Sequence, residues 1–190
     1  RRWEEAIQVQ RSILKFIKGK QAEEEETLFY LGLKYERARD LLSRGGERNL
    51  DNALKDAKEI IRERKTFQPG FVLLGDVYLQ MGRWTTAGNV WGKSFTRFKS
   101  IAFVLRLEEL YLSREDPSTL FRIYQRALRY DPENWVLAFF YAKLCLRLEM
   151  LDEALEEINE ISLKVKDCPA LHRLLAKIYL HRKDFVRAAQ

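Results

Sequence analysis

The sequence predicts an all-α chain, an α-solenoid built by stacking helix–turn–helix units. Three observations carry that reading. In residues 71–99, FVLLGDVYLQMGRWTTAGNVWGKSFTRFK, the residues Phe71, Leu74, Gly75 and Tyr78 fall at i, i+3, i+4, i+7. Ala87, Trp91 and Ser94 share a second helical face, and Met81-Gly82-Arg83 separates the two. Equivalent positions then recur: Tyr111, Cys145 and Tyr179 step by 34, as do Ala142 to Ala176 and Ala154 to Ala188. Tyr78 to Tyr111 and Ala87 to Leu120 step by 33. Finally, 9 Gly and 4 Pro in 190 residues leave no linker or low-complexity run between two domains. A helix pair that cannot bury its apolar face alone is stable only when stacked on copies of itself.

Gly75 and Ala87 are expected to let two helix backbones approach, with Tyr78 and Trp91 filling the space around that contact. In FRIYQRALRYDPEN, Tyr124 and Ala127 sit on the packing face and Pro132 opens the next unit. A period of 34 with small, aromatic and alanine positions at these offsets resembles the tetratricopeptide repeat. The resemblance covers nearly the whole chain and several units agree in phase. It implies a right-handed superhelix in which the first helix of each repeat lines the concave wall.

The units are expected in this order. Residues 1–18 form the second helix of a truncated repeat, with Trp3, Ala6, Ile7, Ile13, Leu14 and Ile17 towards the stack and Gly19 ending it. A repeat at 24–66 carries an insertion. Its first helix opens on Glu23 to Glu26, which suit the positive end of a helix dipole, and runs long, to about Ser43. There Leu31-Gly32 with Tyr35 repeats the pattern of Leu74-Gly75 with Tyr78. Gly45-Gly46 breaks that helix, and Asn49 or Asp51 can cap the next. Either Ala53 or Ala57 serves as the close-contact alanine. Repeats follow at 70–98, 101–130 and 133–165, and a truncated one at 170–190. Asp116-Pro117 and Asp131-Pro132 read as helix starts, and Asp152 as a cap. Glu108 stands where the sister repeats have a small residue. Both ends cut through repeats, so the chain reads as a piece of a longer array, with an anchor or further domain expected outside it.

Net charge is +6 with 33% charged residues, most of which belong on solvated outer faces. No apolar run is long enough to span a bilayer, and no signal peptide is visible. Cys145 and Cys168 form no metal or redox spacing, which favours a reducing cytosol. Cys168 and His172 are an i, i+4 pair, but two ligands do not make a zinc site. No nucleotide loop or nucleophile motif is present. No catalytic residue, metal or cofactor is therefore assigned, and no small-molecule substrate.

On the implied concave wall fall Phe29, Leu33 and Glu36, then Val72, Asp76 and Leu79, then Leu105, Glu109 and Leu112. Phe139, Lys143 and Leu146 follow, then Arg173, Lys177 and Leu180. Each triplet is spaced i, i+4, i+7. Phe29, Val72, Leu105 and Phe139 make one apolar row. Leu79, Leu112, Leu146 and Leu180 make a second. Charges between them change from Asp76 and Glu109 to Lys143 and Lys177. Such a groove suits an amphipathic helix or extended peptide, apolar on one side and oppositely charged along its length. The alternative is a tight superhelix whose stripes pack inwards. Repeat domains that clamp a C-terminal carboxylate have a Lys and Asn set here. Leu33, Asp76, Glu109, Lys143 and Lys177 occupy the Asn places, which argues against that clamp.

A closer resemblance rests on WEEAIQVQRSIL, the acidic stretch and YLGLKYERA after it, LLGDVYLQMGRW with Ala87 and Trp91, LEELYL and RIYQRALRYDPEN. This run is similar to lipopolysaccharide assembly protein B. That family has one N-terminal membrane anchor, cytosolic repeats and a C-terminal rubredoxin-like metal module. The resemblance implies a non-catalytic adaptor on the cytoplasmic face of the inner membrane. Its partners would be a membrane-bound protease and the deacetylase that commits lipid A synthesis. Two other readings remain. An RNA-binding repeat would use Arg62, Arg64 and Lys65, but no regular aromatic-and-basic pattern recurs. A regulatory domain of a larger enzyme is the other. Apolar faces left open at truncated ends also allow self-association.

Overall fold

The computed structural model describes residues 2–188, and these are helical with no strand among them. The helices are α1 (Trp3–Phe16), α2 (Lys20–Arg44), α3 (Glu47–Glu63), α4 (Gln68–Gln80), α5 (Trp84–Phe98) and α6 (Ile101–Leu112). They continue as α7 (Pro117–Tyr130), α8 (Trp135–Arg147), α9 (Leu151–Lys164), α10 (Pro169–His181) and α11 (Phe185–Ala188). The expected final repeat runs on to residues 189 and 190, which lie outside the described residues. Backbone packing divides the chain into two compact units, Arg1–Glu115 with α1–α6 and Asp116–Gln190 with α7–α11. The division falls inside the expected repeat 101–130.

In the first unit each helix packs on the next, and α4 also touches both α2 and α6. These three are the first helices of their pairs and form one wall. Behind them, Ala38, Ala53 and Ala57 are fully buried beside Leu73, Leu74 and Val77. Both candidate alanines of α3 therefore lie in the core. Gly75 is the closest approach: a Cβ there would lie 2.0 Å from Nε1 of Trp91, itself fully buried. Trp91 donates that N–H to the Val72 carbonyl at 3.2 Å, so its one polar atom is satisfied. Gly32, its expected counterpart, has open space around it. In α2 the buried small residue is Ala38 instead, part of a core cluster against which Tyr35 packs.

The second unit stacks α7 on α8, α8 on α9, α9 on α10 and α10 on α11, with α8 also touching α10. Leu120, Tyr124, Ala142, Leu144, Cys145, Ala154, Ile158 and Ile178 are all 0–1% exposed. The Tyr124 and Tyr141 rings meet at a tilt of 37°, 5.5 Å between centroids. Burial pushes the Cys145 thiol up to about 11, which makes it an inert core residue at neutral pH.

Several expected boundaries move, each for a local reason. α1 ends at Phe16, and Gly19, at φ 113°, is the N-cap of α2. Ile13 is 40% exposed, whereas Gln10 is buried and donates to the Glu26 carbonyl at 3.2 Å. The buried face of α1 thus runs through Ile7 and Gln10. Asn49 does not cap α3: the helix starts at Glu47, and the Asn49 amide donates to the Gly45 carbonyl at 2.8 Å, bracing the Gly45-Gly46 turn. Asp116 does cap α7, accepting from the Thr119 N–H at 3.2 Å. Asp131 does not cap α8. Asn134 takes that role, accepting from the Leu137 N–H at 3.0 Å, while Asp131 accepts from the Asn134 amide. Asp152 lies inside α9, whose N-cap is Met150, and pairs with Arg182.

Candidate functional site: the inner helix wall

In the first unit the wall carries Phe29 on α2, Val72, Asp76 and Leu79 on α4, and Leu105, Glu109 and Leu112 on α6. Phe29 is 59% exposed, Leu79 37% and Leu105 42%; Glu109 is exposed, and Val72, Asp76 and Leu112 are half-buried. None of these seven belongs to the buried core. Two concavities adjoin on this wall. One, of about 580 Å³, is lined by Tyr35, Arg39, Leu42, Val72, Asp76 and Arg106 among others. The second, of about 470 Å³, is lined by Tyr35, Phe67, Pro69, Val72 and Ala102 among others. Tyr35 and Val72 belong to both.

The Tyr35 ring stands edge-on to Phe67 at 5.7 Å, with the Arg39 guanidinium 5.7 Å from its centroid. That arrangement fixes an aromatic ridge between the hollows. At the floor of the larger one, Arg106 reaches Asp76 through two contacts, Nε to Oδ1 at 3.0 Å and a terminal nitrogen to Oδ2 at 3.2 Å. It also reaches Glu109 at 3.3 Å. Burial raises the Asp76 carboxyl above the usual range, against the lowering by Arg106. The sequence reading missed Arg106 because it lies outside the i, i+4, i+7 stripe. Its i, i+3 spacing to Glu109 was the available signal. The acidic end of the expected gradient is thus partly neutralised.

In the second unit, Phe139 and Leu146 are half-buried, and Lys143, Arg173 and Lys177 are exposed. Phe139 meets Phe140 edge-on at 5.8 Å, with Lys143 Nζ 5.1 Å from the Phe140 centroid. Arg173 donates to the Pro169 carbonyl at 3.2 Å within its own helix. The structure gathers Phe139 with Lys143 but records no contact of Arg173 or Lys177 with them. Of the basic residues considered for RNA, Arg62 pairs with Glu63 and Arg64 with Glu24. Among the described residues no three His, Cys, Asp or Glu side chains cluster to hold a metal, and no helix is long and apolar enough to cross a membrane.

Residues 112–178 match the model of the tetratricopeptide repeat family. Among solved structures, a tetratricopeptide repeat protein from Parabacteroides merdae ATCC 43184 is 15% identical, with a TM-score of 0.55 over 83% of this chain and 62% of its own. The chain therefore spans less than two thirds of that protein's length. MamA (41-end) from Desulfovibrio magneticus RS-1 is 16% identical, with a TM-score of 0.51 over 84% of this chain and 89% of its own. A chain of the APC/C hetero-tetramer Cut9–Hcn1 is 13% identical, with a TM-score of 0.51 over 93% of this chain and 39% of its own. At these identities the likeness is one of fold. Among curated proteins none matches.

Proposed function

We propose that the chain is a non-catalytic adaptor that holds a segment of a partner protein against its inner helix wall. The observation that carries this reading is the pair of adjoining hollows sharing Tyr35 and Val72. The smaller hollow is mainly apolar, and the larger sets Arg39, Asp76 and Arg106 beside Leu42 and Val72, so the pair can take an apolar side chain next to a polar or charged one of a bound peptide. Leu79 and Leu105, exposed on the same helices, extend the apolar surface beyond the hollows. The second unit, taken by itself, would offer Phe139 and Leu146 with the basic Lys143, Arg173 and Lys177 on its first helices. The finer reading is an adaptor that regulates lipopolysaccharide synthesis through a membrane protease and a lipid A enzyme. It is supported by the resemblance of the stretches from WEEAIQVQRSIL to RIYQRALRYDPEN alone. A cytoplasmic location belongs to the same proposal.

The test is capture from a bacterial lysate, wild type beside Leu79→Glu/Leu105→Glu, read by mass spectrometry, with circular dichroism to check helicity. Both leucines are exposed, so the double change should leave the helix content intact. Capture of a protease or lipid A enzyme by wild type, lost in the variant, is the expected result. The same partners in both samples would show that binding lies off this wall. Recovery that disappears on nuclease treatment would replace the peptide reading with RNA.

A further inference from the structure

Two helices of the second unit, α7 and α9, carry exposed charge stripes of opposite sign. α7 has no acidic residue and three arginines, Arg122, Arg126 and Arg129, at i, i+4, i+7. All three are exposed. Arg122 donates to the Thr119 hydroxyl and Arg129 to the Gln125 carbonyl, both neutral oxygens, and Arg122 also lies near enough to Asp116 to help lower its carboxyl. Among the described residues the ion pairs of this unit are Lys164–Glu133, Arg182–Asp152 and Arg187–Asp184, and the stripe takes no part in them. The arginines border a shallow hollow of about 650 Å³, with Ile123 in its lining and Tyr130, 82% exposed, at its end.

α9 is the converse. It carries Asp152, Glu153, Glu156, Glu157 and Glu160 against the one cation Lys164. Glu153, Glu156 and Glu160 are exposed at i, i+3, i+7, with Leu163, 84% exposed, one turn beyond. Burial, with the charges of Glu160 and Glu156, raises the Glu157 carboxyl above the usual range. The acidic face thus holds repulsion that an approaching cation relieves. Each stripe runs over seven helical steps, or about 10 Å of helix. Each ends near an exposed apolar side chain.

We propose that two copies of this chain associate through their second units, the arginine stripe of α7 in each facing the glutamate stripe of α9 in the other. A second copy is the occupant favoured by the surface because it supplies both missing partners at once. An acidic partner alone would leave the glutamates unmet. An interface that pairs one patch with a different patch twice is the self-complementary arrangement of a two-fold dimer. Exposed ion pairs are individually weak and are screened by salt, so the dimer is reversible, concentration-dependent and salt-sensitive. This inference is independent of the inner-wall reading.

Sedimentation velocity on the 190-residue chain tests it, at low salt and at about 0.5 M NaCl, where the screening length falls to a few ångströms. Wild type is expected to dimerise at low salt and to dissociate at high salt. Arg122→Glu/Arg126→Glu and Glu153→Arg/Glu156→Arg should each be monomeric with unchanged circular dichroism. An equimolar mixture of the two reversed variants should dimerise again, because each restores the other's complement. Three results overturn the proposal: a monomeric wild type at low salt, including one that binds a polyglutamate peptide, a mixture that stays monomeric, or a dimer that survives both salt and reversal. In the last case Ile13→Glu/Phe16→Glu would identify the exposed apolar face of α1 as the contact instead.

Discussion

Gly75 is a glycine because Trp91 occupies the place of a side chain. An added Cβ would sit 2.0 Å from the indole nitrogen, far inside van der Waals contact. The indole cannot retreat freely, since it is fully buried and tied to the Val72 carbonyl. Gly75→Ala should therefore destabilise the chain by about 1–3 kcal/mol, the usual cost of overpacking a filled core. Urea unfolding is expected to show a lower midpoint with an unchanged slope. An unchanged midpoint would mean that the tryptophan can swing away, and that the close approach is incidental. The pairing was legible in the sequence because a small residue and a large aromatic one recur at fixed offsets. Gly32 shows the limit of that logic: it shares the local motif, yet it has open space around it and the small residue its helix buries is Ala38. Local spacing names the candidates, and the path of the neighbouring helix chooses among them.

At the scale of elements, α2 and α3 are joined by charges that no apolar pattern displays. Lys34 is 3% exposed and Asp56 1%. Arg37 grips both oxygens of Asp56 at 2.7 and 2.6 Å. Lys34 lies 3.6 Å from Asp56 and 2.5 Å from Glu59, and Glu59 accepts from the Tyr30 hydroxyl at 3.2 Å. Tyr30 in turn accepts from Arg11 of α1. Removing one partner of such a set leaves a buried charge unmet, so Asp56→Ala should cost about 3–5 kcal/mol. The pH dependence follows from Glu59. Burial raises its carboxyl, but the hydrogen bond and charge of Lys34, with the Tyr30 bond, leave it below the ordinary value. A lowered folded-state value contributes stability that is present above the unfolded value and lost as pH falls through the folded one. The stability gap between wild type and Glu59→Gln should therefore be full at neutral pH and close as the solution becomes more acidic than about pH 4. A gap that does not change with pH would place the effect in packing instead. Sequence reading found the long α2 and the glycine break after it. It missed this network because each ion's partner lies on another helix, at separations of 19 to 29 residues.

At the scale of the whole chain, the helix-pair repeat was legible because its period runs through nearly every element. The exact starts of α3, α8 and α9 were not, because the capping side chain is chosen by turn geometry among several eligible residues. A chain of stacked pairs holds its stability as a sum of each pair and its neighbours, and such structures open in local cooperative units. Gly75→Ala strains the contact of α4 with α5, and α4 and α5 in turn pack on α3 and α6. Native-state hydrogen exchange of this variant should accelerate in α3 to α6. In α8 and α9, which belong to the other compact unit, protection should stay near that of wild type. The two compact units provide the physical reason: a lost contact lowers the opening free energy of the helices that share it, and that loss reaches others only through the packing between them. Equal acceleration from α1 to α10 would mean that the chain opens as one cooperative unit. The additive description would then fail, and the cost of Gly75→Ala would be a property of the whole array.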